Sequence, residues 1–144
     1  MKRIKLKKSF DLRINKRPSD IVKESDVSLT SAVMPDSIPF IKPKLTRKVS
    51  EKIAAGEVLY FDKSNPKIQF VSPVSGVIKD IEYGERRRLD AVVIEENDAP
   101  PKLFNKLNSS SISNLSKEAL TSQLLDQGLW PFFRSFPFKN ILWQ

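Results

Sequence analysis

The stretch that decides the fold is FVSPVSGVIKDI, residues 70–81. Apolar residues lie on both sides of Pro73 and Gly76, an arrangement typical of two short strands joined by a turn. Proline fixes φ as the chain enters a turn, and glycine permits backbone geometry that other residues resist. The stretch therefore predicts a strand–turn–strand unit.

The sequence around this unit continues as a series of short apolar runs. Residues 38–96 hold these runs, and turn residues separate them. Such spacing is the signature of a small β-sandwich or barrel. Prolines near the start of the block exclude a long helix there, because each removes a backbone donor. We predict one β domain over residues 38–96. The turn pairs are Asn65-Pro66, Ser75-Gly76 and Tyr83-Gly84.

The net charge of +8 is concentrated in the first third of the chain. Residues 1–48 hold 13 Lys and Arg against 5 Asp and Glu. Residues 2–14 alternate between apolar and basic side chains, which predicts one or two half-buried strands. We expect residues 1–37 to form a basic β segment that packs on the core. A basic face suits an acidic partner, and a solvated face is the alternative reading.

The last third changes character twice. Residues 97–114 contain paired prolines and then a Ser/Asn tract, which predicts a linker. Residues 115–144 predict a helical and aromatic extension: Ser116 can cap a helix that ends at Gly128, and Pro131 is suited to start another helical turn. The aromatic residues of this extension are Trp130, Phe132, Phe133, Phe136, Phe138 and Trp143. We expect them to pack within a longer chain or to dock on a partner.

The composition excludes several classes of catalytic and metal site. Cysteine and histidine are both absent. A Ser/His/Asp or Cys/His relay, a cysteine-ligated zinc site and an iron–sulfur cluster therefore cannot be built from these residues. No apolar run approaches the roughly 20 residues that span a bilayer, and no secretory signal follows the basic start. We expect no catalytic, cofactor-binding or metal-binding residue, and a cytoplasmic location.

Two regions resemble the halves of biotinyl and lipoyl carrier domains, which are flattened β-sandwiches. One is the opening stretch, and the other is residues 44–61, KLTRKVSEKIAAGEVLYF. The resemblance implies a mainly β fold with a barrel-sandwich hybrid core and a C-terminal helical extension. Asp62-Lys63 is similar to a lipoyl attachment pair, but Asn-Pro follows at once and the spacing to Pro73 differs by about two residues. We therefore expect Lys63 to be an unmodified lysine on a solvated turn.

A longer run, residues 56–95, resembles the NqrA subunit of the bacterial sodium-translocating NADH:quinone oxidoreductases. The family elements Asp-Lys, Asn-Pro, Ser-Pro-x-Ser-Gly and Gly-Glu-Arg-Arg occur here in order. The opening IKLKKSFDLRI is similar to the start of that subunit, with Ser9 where glycine is more frequent. The later LLDQGLWPFFRSFPF is similar to another segment, with Gln127 in place of serine. Together these motifs cover nearly all of the 144 residues.

The resemblance implies a subunit on the cytoplasmic face of the inner membrane, peripheral to a complex that couples NADH oxidation and quinone reduction to sodium export. Flavins and an iron–sulfur centre belong to partner subunits, and this chain is expected to bind no cofactor. In that family, quinone binding is attributed to NqrA or to its interface with the membrane subunit NqrB. Because family members are several times longer, we expect this chain to be an N-terminal fragment that acts in assembly.

Candidate docking residues come from two places. The sequence predicts that Arg86, Arg87 and Arg88 place three guanidinium groups on a turn, where they can bind carboxylate or phosphate. The second group is Trp130, Phe132 and Phe133. Partners would be the other subunits of the complex and anionic lipid. The alternatives are a subunit of an Rnf electron-transport complex, or a basic β-barrel that binds nucleic acid. The nucleic-acid reading is weakened because the basic third holds only Phe10 and Phe40 for base stacking.

Overall fold

The computed structural model describes residues 19–22, 24 and 28–142. The strands predicted within residues 2–14 and the position of Trp143 lie outside these residues. None of the described helices has the length and hydropathy that a membrane-spanning segment requires.

The described part of the chain is mainly β, with two antiparallel sheets. One sheet has the order β1-β7-β6-β3, and the other has the order β2-β4-β5. Sheet-forming segments are short because turn residues interrupt the apolar runs, as the sequence predicted. The strands are β1 (Thr30–Val33), β2 (Pro43–Leu45), β3 (Lys52–Ile53), β4 (Val58–Asp62), β5 (Asn65–Val71), β6 (Gly76–Tyr83) and β7 (Leu89–Glu96). The predicted fold class is confirmed.

A single apolar cluster draws side chains from both sheets. Its centre includes the stacked rings of Tyr60 on β4 and Phe70 on β5, whose centroids are 4.6 Å apart. Burying such side chains contributes roughly 1.5–3 kcal/mol each relative to exposure. The cluster therefore holds the two sheets together. Its members are Ile53, Leu59, Tyr60, Ile68, Phe70, Ile78, Leu89, Val92, Ile94 and Ile141.

The hairpin between β4 and β5 turns earlier than predicted. The expected turn at Asn65-Pro66 is wrong, because Asn65 already begins β5 and pairs with Asp62. The cause is the buried carboxylate of Asp62, whose Oδ1 accepts hydrogen bonds from the backbone N–H groups of Lys42 and Ser64, each at 3.0 Å. These bonds favour a loop of Lys63 and Ser64, with Lys63 exposed at its tip.

Gly76 begins β6 and is not part of the loop between strands. A Cβ at this position would collide with the backbone carbonyl of Glu95 on β7. The glycine is therefore required by the close approach of two strands. The sequence located this special position correctly, but the predicted role in a turn is wrong.

The C-terminal region contains two α-helices, α1 (Ser109–Ser113) and α2 (Lys117–Asp126). The Oγ atom of Ser116 accepts a hydrogen bond from the N–H of Ala119 at 3.2 Å, which confirms the predicted cap. Gly128 follows α2 at φ +67°, in the left-handed conformation that ends helices. Helix α1 was not predicted: the linker prediction missed that Asn108 accepts from the N–H of Ser111 at 2.8 Å and caps the serine tract.

Candidate docking site

The tip of the β6–β7 hairpin is strained. Arg86 and Arg87 have φ values of +55° and +58°, so two consecutive non-glycine residues occupy the left-handed region. This conformation costs about 1 kcal/mol per residue. The turn is closed by a hydrogen bond from the N–H of Gly84 to the carbonyl of Arg88 at 2.9 Å. The two arginine side chains are exposed, and no ion pair to either is found among the described residues.

Arg88 differs from its two neighbours because it pairs with acidic side chains of the same chain. Its Nε donates to Oδ1 of Asp90 at 2.8 Å, and its Nη1 lies 3.4 Å from Oδ1 of Asp36. The hydrogen bond to Asp90, followed by the nearby charge of Asp36, raises the pKa of Arg88. The sequence predicted three equivalent guanidinium groups on this turn. The structure instead leaves two of them without an ion pair to a described residue and uses the third to fix the hairpin.

Asp36 connects the hairpin to a neighbouring surface. It lies in a single 3₁₀ turn, Pro35–Ser37, which contacts β7. On either side of this turn, Met34 and Ile38 line an apolar groove of about 370 Å³. The opposite wall of the groove includes Phe132 and Arg134. The segment 34–38 therefore lies between the basic hairpin and the aromatic extension.

We call residues 130–142 the aromatic loop. Its two ends are joined by hydrogen bonds, and a β-bridge pairs Arg134 with Ile141. The indole Nε1 of Trp130 donates to the carbonyl of Leu142 at 2.8 Å, and the N–H of Leu142 donates to the carbonyl of Phe133 at 3.2 Å. The loop is thus a closed hairpin with a defined base.

The predicted aromatic docking residues have different environments. Trp130 is half-buried and packs against the apolar core, with its ring 5.7 Å from that of Phe133. Phe132 and Phe133 are exposed. Of the predicted site residues, the structure places Phe132 on the groove beside segment 34–38, and Arg88 on that segment through Asp36. Trp130 instead secures the base of the loop.

Sequence reasoning missed several residues of this surface. Met34 is 58% exposed, and Asp36 and Arg134 complete the groove and its connection to the hairpin. A signal for Arg134 was available, because it stands among aromatic residues without an acidic neighbour in the sequence. Met34 and Asp36 gave no such signal, since their partners are distant in sequence.

A second depression, of about 920 Å³, lies between β5 and α2. It is open and its wall is of mixed charge. Lys67, Glu118 and Asp126 line it, together with Trp130 at the base of the aromatic loop. No group of three or more acidic side chains that could hold a metal ion is found among the described residues.

Comparison with known proteins identifies the family. Residues 4–97 match the family model described as the NqrA N-terminal barrel-sandwich hybrid domain. The chain is 31% identical over 138 residues to the NqrA subunit of the Na⁺-translocating NADH-quinone reductase of Vibrio vulnificus strain YJ016, and 33% identical to that of Neisseria meningitidis serogroup A. Each alignment covers 96% of this chain and 31% of the relative, so the chain spans about a third of their length. The chain therefore belongs to the NqrA family, as a member that contains its N-terminal barrel-sandwich hybrid domain.

Proposed function

We propose that this chain is a cofactor-free docking module of a complex that couples NADH oxidation and quinone reduction to sodium export. The names of its relatives support this reading, because they describe one subunit of a Na⁺-translocating NADH-quinone reductase. In this proposal the module lies on the cytoplasmic face of the inner membrane and acts in assembly.

The observation that carries the proposal is the pair of guanidinium groups exposed on a strained turn. Arg86 and Arg87 keep a costly backbone conformation, and neither has an acidic partner among the described residues. Strain of this kind persists where surrounding structure imposes it, and it is concentrated at functional sites. The ion pairs of Arg88 with Asp36 and Asp90 supply that surrounding structure.

The neighbouring groove indicates what kind of partner fits. Arginine and large apolar side chains are enriched at the centres of protein interfaces. Here Arg86 and Arg87 stand on one side of segment 34–38, and the groove with Phe132 and Arg134 lies on the other. We infer that a protein partner inserts an apolar side chain into the groove and places carboxylates against the guanidinium groups. NqrB, the membrane subunit suggested by the resemblance, is the partner we propose.

The chemistry of electron transfer falls to other subunits in this proposal. The chain has no cysteine or histidine, so it offers no thiolate or imidazole ligand to an iron–sulfur centre. Flavins and the cluster would reside in partners. A quinone would bind near the full-length subunit rather than at a site built by these residues alone.

Affinity capture of the tagged chain from detergent-solubilised membranes of its host tests the proposal. The expected result is co-purification of flavin-bearing subunits of the NADH-quinone reductase, identified by mass spectrometry. Recovery of Rnf subunits, or of nucleic acid that survives washing at high salt, would contradict it and support one of the alternative functions.

A further inference from the structure

The tip of the aromatic loop exposes two phenylalanine side chains to an unusual degree. Phe136 is 96% exposed and Phe138 is 72% exposed. Neither side chain lines either of the two grooves described above. Aromatic rings in contact with water are unfavourable unless they have a function, so this tip requires an explanation.

The tip is held in place and is not a frayed end of the chain. At the neck of the loop, the N–H of Ser135 donates to the carbonyl of Asn140 at 2.8 Å, and the N–H of Lys139 donates to the carbonyl of Ser135 at 2.8 Å. Below the neck, the bridge between Arg134 and Ile141 joins the loop to the core, where Ile141 is buried. The two rings are therefore presented outward on a fixed base.

The charges around the tip are all of one sign. Arg134 and Lys139 flank the two rings, and both side chains are exposed. The sequence contains no Asp or Glu from residue 127 to residue 144. Aromatic rings with lysine and arginine at their edge are the composition found where proteins meet the headgroup layer of a membrane. The positive charge complements an anionic lipid surface.

We propose that the aromatic loop inserts Phe136 and Phe138 into the surface of a bilayer that contains anionic lipid, while Arg134 and Lys139 contact the lipid phosphates. A projecting tip fits a deformable surface better than a rigid one, because hot-spot side chains at protein interfaces are seated in matching pockets. This contact goes beyond the docking role proposed above and does not depend on it. Its test needs no protein partner, so failure of one proposal leaves the other intact.

The absence of cysteine from the chain gives a direct test. Phe136→Cys or Phe138→Cys, labelled with an environment-sensitive dye, places one probe at the tip of the loop. The control is Leu103→Cys with the same dye, because Leu103 is also highly exposed but lies outside the aromatic loop. Each labelled chain is mixed with vesicles of phosphatidylcholine, with or without phosphatidylglycerol.

The proposal predicts a blue shift of the dye at positions 136 and 138 with the phosphatidylglycerol vesicles, and no shift at position 103. Binding of the chain to these vesicles without a shift at the tip would overturn the proposal, because the basic residues 1–18 alone would then explain the association. A shift that requires added membrane subunits and does not occur with vesicles would also overturn it. The loop would in that case be a protein contact.

Substitutions provide a second measurement that does not depend on the dye. Phe136→Ser with Phe138→Ser should weaken sedimentation with phosphatidylglycerol vesicles by roughly tenfold or more, as expected for two rings withdrawn from an apolar layer. Lys139→Gln should weaken it by about fivefold, and addition of salt should reduce this difference. Leu103→Ser should have no effect. Equal sedimentation of all variants would contradict insertion of the tip, and unchanged thermal unfolding would show that the fold is intact.

Discussion

The guanidinium of Arg88 lies 3.4 Å from the carboxylate of Asp36 and also donates to the carboxylate of Asp90 at 2.8 Å. Because all of these groups are on the surface, the free energy gained is small, of the order of 1 kcal/mol or less per pair. The importance of the arrangement is geometric. It joins the β6–β7 hairpin to the segment that lines the apolar groove, while the neighbouring Arg86 and Arg87 stay available to a partner.

Replacement of Arg86 by glycine should stabilise the chain. Glycine adopts positive φ without steric cost, so Arg86→Gly should raise the free energy of unfolding by about 0.5–1 kcal/mol, with partial offset from its greater freedom when unfolded. Thermal unfolding measures this change. The control is Glu85→Gly, at a neighbouring exposed residue without positive φ, which should lower stability. If both variants unfold at lower temperature than the parent chain, strain at the tip is not present in solution.

Removal of the carboxylate of Asp62 should have a large effect. Asp62 is fully buried and accepts from the backbone N–H groups of Lys42 and Ser64. Asp62→Ala would leave both donors without this acceptor, which should cost about 2–4 kcal/mol in urea unfolding. Asp62→Asn retains an acceptor oxygen and should cost less. Asp98→Ala, at an exposed residue, is the control. Equal stability of Asp62→Ala and the control would show that this carboxylate does not fix the hairpin.

The stability of the chain should fall at alkaline pH because of Tyr60. Burial raises the pKa of the Tyr60 hydroxyl above its usual value near 10. A folded-state pKa above the unfolded one means that the folded chain retains a proton that the unfolded chain loses, so stability is complete below pH 10 and decreases as pH rises further. Tyr60→Phe keeps the ring against Phe70 and removes the ionisable group.

The Tyr60→Phe variant should therefore lose less stability than the parent chain when urea unfolding is measured above pH 10. Tyr83→Phe is the matched control, since Tyr83 is the other tyrosine of the chain and is largely exposed. An identical alkaline loss in all three proteins would assign the effect to other groups, such as lysines.

Local features of the fold were predictable because their causes are local. The cap at Ser116 and the left-handed glycine at 128 depend on neighbouring residues, and the sequence located both. The early turn after Asp62 was missed because the acceptor's second donor, Lys42, comes from a distant part of the chain. The short helix in the serine tract was missed because its composition is typical of a linker, while the cap at Asn108 is a single residue.

The candidate site was only partly predictable for the same reason. The arginine run and the aromatic extension were visible as sequence patterns. Their relationship was not, because it passes through Asp36 and the groove that Met34 shares with Phe132. Periodicity cannot show which of three adjacent arginines pairs within the chain. It also could not separate Trp130, which packs on the core, from the exposed rings beside it.

The most direct test of the docking role is the affinity of the purified chain for the detergent-solubilised membrane subunits, measured for two double variants. Arg86→Ser with Arg87→Ser removes the two exposed guanidinium groups of the turn. Lys52→Ser with Lys106→Ser removes the same charge from exposed residues elsewhere. We predict that the arginine variant binds at least about tenfold more weakly while the lysine variant binds normally. Equal affinity of the two variants would contradict the docking role, because net charge alone would then explain any attraction.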